Sequence, residues 1–198
     1  MALRLVNLDA RTRRFMLDEL EHDVEQGTLY FSPRLSERGR RDYESLLRAA
    51  IESLNDVLLA DSLRVNHRLK DWEQRHAKNG EVIEVRVPVT AADTLAEGEF
   101  NRFYVRGLCR RALQEGWRDV VVYRAKQTQQ PRPQSEALLG RRLNARALLE
   151  DLRARHGETP HLVIPPGPNS GLSVKLPERV NVSVNAAANA QQEFLRAA

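Results

Sequence analysis

Residues 81–125 read EVIEVRVPVTAADTLAEGEFNRFYVRGLCRRALQEGWRDVVVYRA, and the fold prediction begins with this stretch. In its first nine residues apolar and polar side chains alternate, which is typical of a strand with one exposed face. Near its end the run VVVY is continuously apolar and rich in β-branched residues, which is typical of a strand buried on both faces. Strands are therefore predicted near 82–89 and 119–125.

The residues between these strands predict one long helix, near 93–115. Thr90 and Asp93 resemble a capping box at its start, and Gly116 follows its end. A strand, a helix and a strand in this order are the pattern of a βαβ unit, whose crossover is right-handed when the strands are parallel. The predicted fold class is α+β or α/β: a mixed sheet around one βαβ unit, with three to four helices and extended terminal arms.

Two further helices are predicted before this unit. Asp9 is suited to cap a helix of about four turns that ends at Gly27. Ser36 is suited to cap the second helix, in which apolar residues step by three and four from Tyr43 to Leu58. A stripe of this length must be buried against the rest of the protein, so it indicates a core helix.

The chain divides by composition into a body and flanking segments. We expect residues 1–35 to form an N-terminal helix and arm, 36–185 the main α/β domain, and 186–198 a tail rich in Ala and Asn. Segment 61–80 is dense in charge, which is consistent with a charged helix, an extended arm or a connector. Asn144 is suited to cap a later helix, and short apolar runs predict further strands at 162–164, 172–176 and 180–184.

Composition excludes several classes of protein. The chain has 198 residues, with 31 basic and 27 acidic residues and a formal net charge of +4. It has no run of about 18 apolar residues, so no membrane span is predicted, and the N-terminal apolar run is too short for a signal peptide. The single cysteine, Cys109, excludes an intramolecular disulfide and fits a reducing compartment. The expected location is the cytoplasm, or the inside of a particle assembled there.

The first candidate binding group for a phosphate or nucleic acid lies on the long helix. Arg102, Arg106 and Arg110 recur at four-residue spacing, so their guanidinium groups form a row. At about 100° per residue this row lies almost opposite the apolar stripe that includes Phe100 and Leu108. The pattern therefore fits either a phosphate-binding row or an ordinary solvated face.

The second candidate group follows the second predicted strand. It consists of Arg124, Lys126, Arg132, Arg141 and Arg142. In an open parallel sheet ligands gather at the carboxyl ends of the strands, so a phosphate, a nucleic acid or an acidic partner is expected to bind there. The alternative is that these side chains form ion pairs with acidic residues of the same chain, namely Asp119, Glu136 and Glu150.

No catalytic residue, metal site or cofactor is predicted. The five histidines lack the spacing of zinc ligands, and the loop from Gly167 to Gly171 lacks the phosphate-loop and nucleophile patterns. Asp119 and Lys126 are too few for a nuclease metal site, because Arg124 stands where a second carboxylate is required.

Three functions therefore remain open. The sequence favours a non-enzymatic structural or interaction protein that assembles with itself or with another protein. This hypothesis depends on the predicted arms and on two apolar runs that look exposed, Leu3–Leu8 and Leu29–Phe31. The alternatives are a nucleic-acid-binding protein that uses the arginine-rich groups, and an enzyme with an unrecognised site at the carboxyl ends of the strands.

Overall fold

The computed structural model describes residues 2–127, 131–155 and 171–178. Within these ranges the chain forms six helices and five strands. The helices are α1 (Ala10–Glu25), α2 (Glu37–Ser53), α3 (Asp56–Arg64), α4 (Ala91–Gln114), α5 (Pro133–Glu136) and α6 (Ala145–Ala154). The strands are β1 (Trp72–His76), β2 (Val82–Arg86), β3 (Asp119–Arg124), β4 (Arg142–Asn144) and β5 (Leu172–Lys175). None of the described helices is both long and apolar enough to cross a membrane.

Helix α4 is the centre of the core. Helices α1, α3 and α6 pack against it, and strands β3 and β5 lie along it. Its apolar side chains share one buried cluster with residues of every neighbouring element, among them Met16, Leu63, Phe100, Leu148 and Val174. Because α4 is covered from several sides, it is buried on more of its surface than a helix at the edge of a protein.

Strand β3 is the middle strand of a three-stranded sheet in the order β4-β3-β5, and both of its neighbours are antiparallel to it. Val120 and Val122 are fully buried against α4, whereas Val121 and Tyr123 on the opposite face are only partly covered. The prediction that this strand is buried on both faces is therefore wrong for one face.

The predicted βαβ unit is wrong, although its three elements exist. Strand β2 pairs antiparallel with β1, in a separate two-stranded sheet that does not include β3. The turn at residues 77–81 brings β1 beside β2, and closing so short a loop costs less entropy than a crossover through α4. The two sheets and six helices of the described residues make the protein mixed α and β, roughly α+β, rather than a sheet built on one crossover.

The helix predicted from Ser36 to Leu58 is two helices, which is one reason why the predicted number of three to four is too low. Helix α2 ends at Ser53, and Asn55 caps α3 by accepting a hydrogen bond from the Leu58 amide at 3.0 Å. The last carbonyls of α2 are satisfied by a side chain, because Arg13 donates to the carbonyls of Ile51 and Leu54 at 2.6 and 2.9 Å. The apolar spacing continues across this break, and for that reason the sequence pattern predicted a single helix.

Three of the four predicted N-terminal helix caps are present in the structure. The caps at Asp9, Ser36 and Asn144 are confirmed, since each side chain accepts a hydrogen bond from an amide of its helix. The capping box at Thr90 is wrong, because this side chain makes no capping hydrogen bond.

Segment 61–80 is neither one helix nor a free arm. Its first residues finish α3, and its later residues form strand β1 and the turn of the hairpin. Between them, Leu69 bridges to Leu35, and the Lys70 amide donates to the carbonyl of Arg34 at 2.9 Å. The charged residues at the end of this segment lie on an exposed two-stranded ribbon, where water surrounds them.

The N-terminal run Leu3–Leu8 is docked on the body of the protein and is not an extended arm. Backbone amides of this run donate to the carbonyl of Ala125 at 2.8 Å and to the hydroxyl of Tyr104 at 3.2 Å. In the other apolar run, Leu29 is buried and Phe31 packs on the ring of Tyr43. Apart from Val6, which is exposed, the large apolar side chains of both runs are therefore at least partly buried within the chain. The predicted strands at 162–164 and 180–184 and the tail at 186–198 lie outside the described residues.

Candidate functional site

The centre of the predicted arginine row is buried. Arg106 has no exposed surface, and its guanidinium group donates to Asp23 at 2.5 and 2.7 Å and to Glu19 at 2.9 Å. The same group lies 5.1 Å from the ring centre of Phe103. The expectation that this row is a solvated face is thus wrong for Arg106, which faces acidic residues of α1.

The other two members of the row also point toward acidic or carbonyl groups. Arg102 is 7% exposed and donates to the carbonyl of Leu152 at 2.9 Å. Arg110 is about one-third exposed and pairs with Asp18 at 3.1 Å. The row therefore joins α4 to α1 and α6, and it does not form a continuous basic surface.

The acidic partners on α1 were missed by the sequence reasoning. Glu19 and Asp23 are four residues apart and lie on the buried side of α1, beside Met16 and Leu20. Their i, i+4 spacing matches the four-residue spacing of the arginines on α4, and this match was the available signal. Burial alone raises the pKa of Glu19, but hydrogen bonds from Arg153 and the charge of Arg106 outweigh it, so the pKa is below its usual value.

A further acid in this region is held differently. Glu99 is 7% exposed, and the nearest cation is the Arg102 guanidinium at 3.9 Å. Burial raises the pKa of Glu99 to about 7, against the attraction of Arg102 and Arg106. This carboxyl group therefore titrates near neutral pH in the folded protein.

Three members of the second basic group form ion pairs within the chain. Arg124 pairs with Glu136, Lys126 with Glu97, and Arg142 with Asp119 at 3.6 Å. The pairs with Glu136 and Asp119 are those that the alternative reading expected. Lys126 instead contacts an acid of α4 that the sequence did not suggest.

Arg132 and Arg141 remain exposed, and within the described ranges neither forms an ion pair. The premise that placed the second group at one edge of a sheet is wrong. Because β5 runs antiparallel to β3, the carboxyl end of β3 at Arg124 lies opposite the first residue of β5, Leu172. The carboxyl ends of these strands consequently do not meet at a common edge.

Lys126 and Glu97 lie near a second buried acid, Asp56, which accepts a hydrogen bond from the Leu3 amide at 3.2 Å. One oxygen of Glu97, Oε2, is buried without a hydrogen-bond partner among the described residues. Burial raises the pKa of both acids, and the charge of Lys126 opposes this shift. In the described part of the chain, no three His, Cys, Asp or Glu side chains are grouped to hold a metal ion.

A cavity lies between the N-terminal run and β5. Its volume is about 270 Å³, and its lining includes Asn7, Trp117, Lys175 and Glu178. This volume is slightly below the usual range of small-molecule sites. Lys175, the cation in its wall, is paired with Glu178 at 3.1 Å. Cys109 is fully buried and burial raises the pKa of its thiol, so it is unsuited to act as a nucleophile.

The most open feature of the described structure is the β-hairpin formed by β1 and β2. No residue of either strand is buried, and the two strands pair only with each other. Three large apolar side chains on it are exposed, namely Trp72, Val82 and Ile83. Isolated two-stranded hairpins are marginally stable in water, and a further strand or a packed helix stabilises them.

One ionic anchor holds the hairpin to the body. Arg34, in the loop before α2, donates to the carboxylate of Glu73 at 2.6 and 3.2 Å. Glu73 also accepts from Arg75 at 2.7 Å on the same face of β1. On the opposite face, the Arg86 guanidinium lies 4.9 Å from the ring centre of Trp72. The hairpin thus carries charged and apolar groups on both faces and has two strand edges that pair with no described strand.

The comparisons with known proteins add no relative to this description. No protein-family model matches the chain, no curated protein matches it, and no solved structure matches it.

Proposed function

We propose that this chain is a non-enzymatic interaction protein that binds a protein partner, or a second copy of itself, through the hairpin of β1 and β2. The observation that carries the proposal is that this ribbon has two open edges and exposed apolar side chains, including Trp72 and Ile83. Open strand edges are templates for pairing with another chain, and natural proteins usually protect them. The exposed apolar surface of this protein therefore lies mainly on the hairpin, and the N-terminal apolar runs are largely covered.

The ionic groups of the chain support this choice of surface. In the arginine row of α4, Arg106 and Arg110 are paired with acids of α1, and Arg102 donates to the carbonyl of Leu152. Three members of the second basic group are paired with acids. These side chains therefore already have partners inside the protein. The apolar groups of the hairpin are exposed, and their burial by a partner is favourable.

Site-specific photo-crosslinking in the cells that produce the protein tests this function. A photoreactive amino acid replaces Gln74, which is exposed on β1, and in a control chain it replaces Ser45, which is exposed on α2. We expect position 74 to yield a protein adduct of one discrete mass, with the linked residues identified by mass spectrometry, and position 45 not to yield it. The absence of an adduct at position 74, or the same adducts from both positions, contradicts the proposal.

A second candidate function is nucleic-acid binding, and one observation favours it. Arg118, Arg141, Arg142 and Arg146 are all exposed around β4 and the first turn of α6. Arginine is well suited to bidentate contacts with phosphate, and Asp119 is the acid that pairs with this group, through Arg142. The group shares Arg141 and Arg142 with the one predicted from sequence, whose members Arg124 and Lys126 are paired with acids.

Binding of single- and double-stranded oligonucleotides at several salt concentrations tests this second function. We expect affinity to fall steeply as salt rises, and the double variant Arg141→Ala/Arg146→Ala to lower the slope of log affinity against log salt by about 2. The control variant is Arg38→Ala/Arg41→Ala on α2, which we expect to leave the slope unchanged. No binding at low salt, or equal effects of the two double variants, contradicts this function.

A further inference from the structure

We propose that two copies of this chain pair through the outer edges of β1, antiparallel and centred on Gln74, to form a four-stranded sheet in the order β2-β1-β1-β2. The inference rests on the proposed function and names its partner, a second copy. It is carried by the hydrogen-bond phase of β1 and by the charges that this pairing brings together.

The backbone of β1 has the correct phase for such pairing. The Val87 amide donates to Asp71 at 2.9 Å, and the Ala77 amide donates to Glu81 at 2.8 Å. In an antiparallel ladder these bonds alternate, so the odd-numbered residues of β1 bond to β2. The amides and carbonyls of Trp72, Gln74 and His76 therefore point to the outer edge.

Just before β1, even-numbered residues of the same edge already form hydrogen bonds of this kind within the chain. The Lys70 amide donates to the carbonyl of Arg34, and the carbonyl of Arg68 accepts from the amide of Ser36. These bonds stop at Lys70, because the preceding chain turns away at residues 32–35. From Trp72 onward the edge pairs with no described strand, and a strand from another molecule continues the pattern.

The charges of β1 select one register. An antiparallel pair centred on Gln74 places Glu73 of each copy directly opposite Arg75 of the other. These two symmetric positions are of the non-hydrogen-bonded kind, in which opposing side chains are closest. The same register places Trp72 opposite His76 of the second copy, which is a favourable pair of rings. The charge pattern of the strand is thus complementary to itself.

The neighbouring registers and the other edge are disfavoured by like charges. Centring the pair on residue 73 places Glu73 opposite its own copy, and centring it on residue 75 does the same for Arg75. Pairing through β2 about its middle residue places Glu84 opposite Glu84. Like charges directly opposite each other destabilise a sheet, so these alternatives cost free energy that the Gln74 register does not.

The test uses two charge variants, each measured alone and then mixed. Glu73→Arg gives a strand with two cations, and Arg75→Glu gives a strand with two anions, so each is expected to repel itself. Sedimentation equilibrium of the original full chain is expected to show a dimer. In either variant alone, the dissociation constant of the dimer is expected to rise about tenfold or more. The mixed pair regains both attractions, so an equimolar mixture is expected to form a heterodimer at least as stable as the original dimer.

Matched controls separate this pairing from effects on folding. Arg34→Gln removes the ionic anchor of Glu73 without changing the charges of β1, and Glu84→Gln removes the like charge at the β2 edge. Both are expected to leave the dimer unchanged within about twofold. Circular dichroism of each variant reports whether the body remains folded.

The outcomes are distinct from those of the proposed function. A chain that stays monomeric at millimolar concentration overturns self-pairing, whereas an adduct between position 74 and a different protein still supports the interaction function. A dimer that ignores both charge variants overturns the β1 edge as the interface. A dimer that both variants weaken but their mixture does not restore overturns the proposed register.

Discussion

The guanidinium group of Arg106 on α4 donates two parallel hydrogen bonds, of 2.5 and 2.7 Å, to the carboxylate of Asp23 on α1 in the interior of the protein. The side chain of Arg106 has no exposed surface and that of Asp23 is 2% exposed. Glu19 approaches the same guanidinium from one turn earlier. Two acids and one arginine therefore define how α1 sits on α4, and removing the arginine leaves two buried acids with less compensation.

Replacement of Arg106 is expected to destabilise the protein strongly. Arg106→Met should lower the free energy of unfolding by about 3–5 kcal/mol, because it removes a buried guanidinium group that donates to the buried carboxylates of both Asp23 and Glu19. The matched control is Arg110→Met, one turn further along α4. Arg110 pairs with the exposed Asp18 at 3.1 Å and with the buried Glu19 at 3.5 Å. Because Glu19 keeps its hydrogen bonds from Arg106 and Arg153, we expect a loss of about 1 kcal/mol or less. Urea denaturation measures both, and equal losses would contradict a special role for Arg106.

Glu99 makes stability depend on pH in a definite direction. Burial raises the pKa of this carboxyl from 4.5 to about 7, so between these values the folded state holds a proton that the unfolded state releases. Stability is therefore lost as pH rises through this window. Glu99→Gln removes the loss, and the variant should become more stable than the original protein above pH 7 by about 3 kcal/mol at most.

The control for Glu99 is an acid whose pKa is shifted the other way. A hydrogen bond from Arg111 lowers the pKa of Glu115. Its stabilisation is present at neutral pH and is lost as pH falls through its folded pKa. Glu115→Gln should therefore be the less stable chain at pH 7, with a difference that vanishes in acid. Thermal unfolding from about pH 2 to about pH 8 covers both windows and separates the two signs. Parallel curves for both variants would refute them.

Two buried tyrosines should respond oppositely to loss of their hydroxyl groups. The hydroxyl of Tyr43 is buried without a hydrogen-bond partner among residues 2–127, 131–155 and 171–178, whereas that of Tyr104 accepts from the amide of Asn7 at 3.2 Å. Tyr43→Phe should be neutral or should stabilise the protein by up to about 1 kcal/mol, and Tyr104→Phe should cost about 1 kcal/mol. Denaturant midpoints measured side by side decide this, and a larger loss for Tyr43→Phe would show that its hydroxyl is satisfied.

Two glycines of α4 should also respond oppositely to alanine. A Cβ on Gly107 would lie 2.8 Å from both the backbone nitrogen and the Cγ of Met16, so the backbone of α1 lies close against α4 at Gly107. Gly107→Ala is expected to cost about 1–3 kcal/mol through overpacking. At Gly98 nothing lies within 4 Å, and alanine should stabilise the helix by about 0.5–1 kcal/mol. Equal gains at both positions would contradict this close packing.

The local elements could be predicted from particular residues. Asp9, Ser36 and Asn144 cap helices as expected. The alternation before Pro88 correctly indicated a strand, but the expectation of a single exposed face is wrong, because no residue of β2 is buried. These features depend on side chains that interact within one helical turn or on one face of a strand, so short stretches of sequence contain them. Strand β1 was missed because its sequence, WEQRH, lacks the β-branched residues by which strands are recognised.

Of the candidate site, the sequence predicted less. It indicated the basic groups and the exposed β2, but it placed the arginines of α4 on a solvated face. A row opposite an apolar stripe is normally exposed, and Arg106 departs from this rule only because α1 presents Glu19 and Asp23 to it across the helix interface. The sequence of α4 alone does not indicate where those two acids of α1 lie.

The sequence by itself determined where α1, α2 and α6 begin and that strands lie within 82–89 and 119–125. It also indicated the buried stripe of α2, although Leu54, Val57 and Leu58 at the end of the predicted stripe are exposed. Only the tertiary structure decided that these two strands belong to different sheets, that the arginine row is enclosed, and that β1 has an open edge. The physical reason is the range of the interactions. Helix caps and hydrophobic periodicity act between near neighbours, whereas strand pairing and charge burial depend on which distant segments fold together.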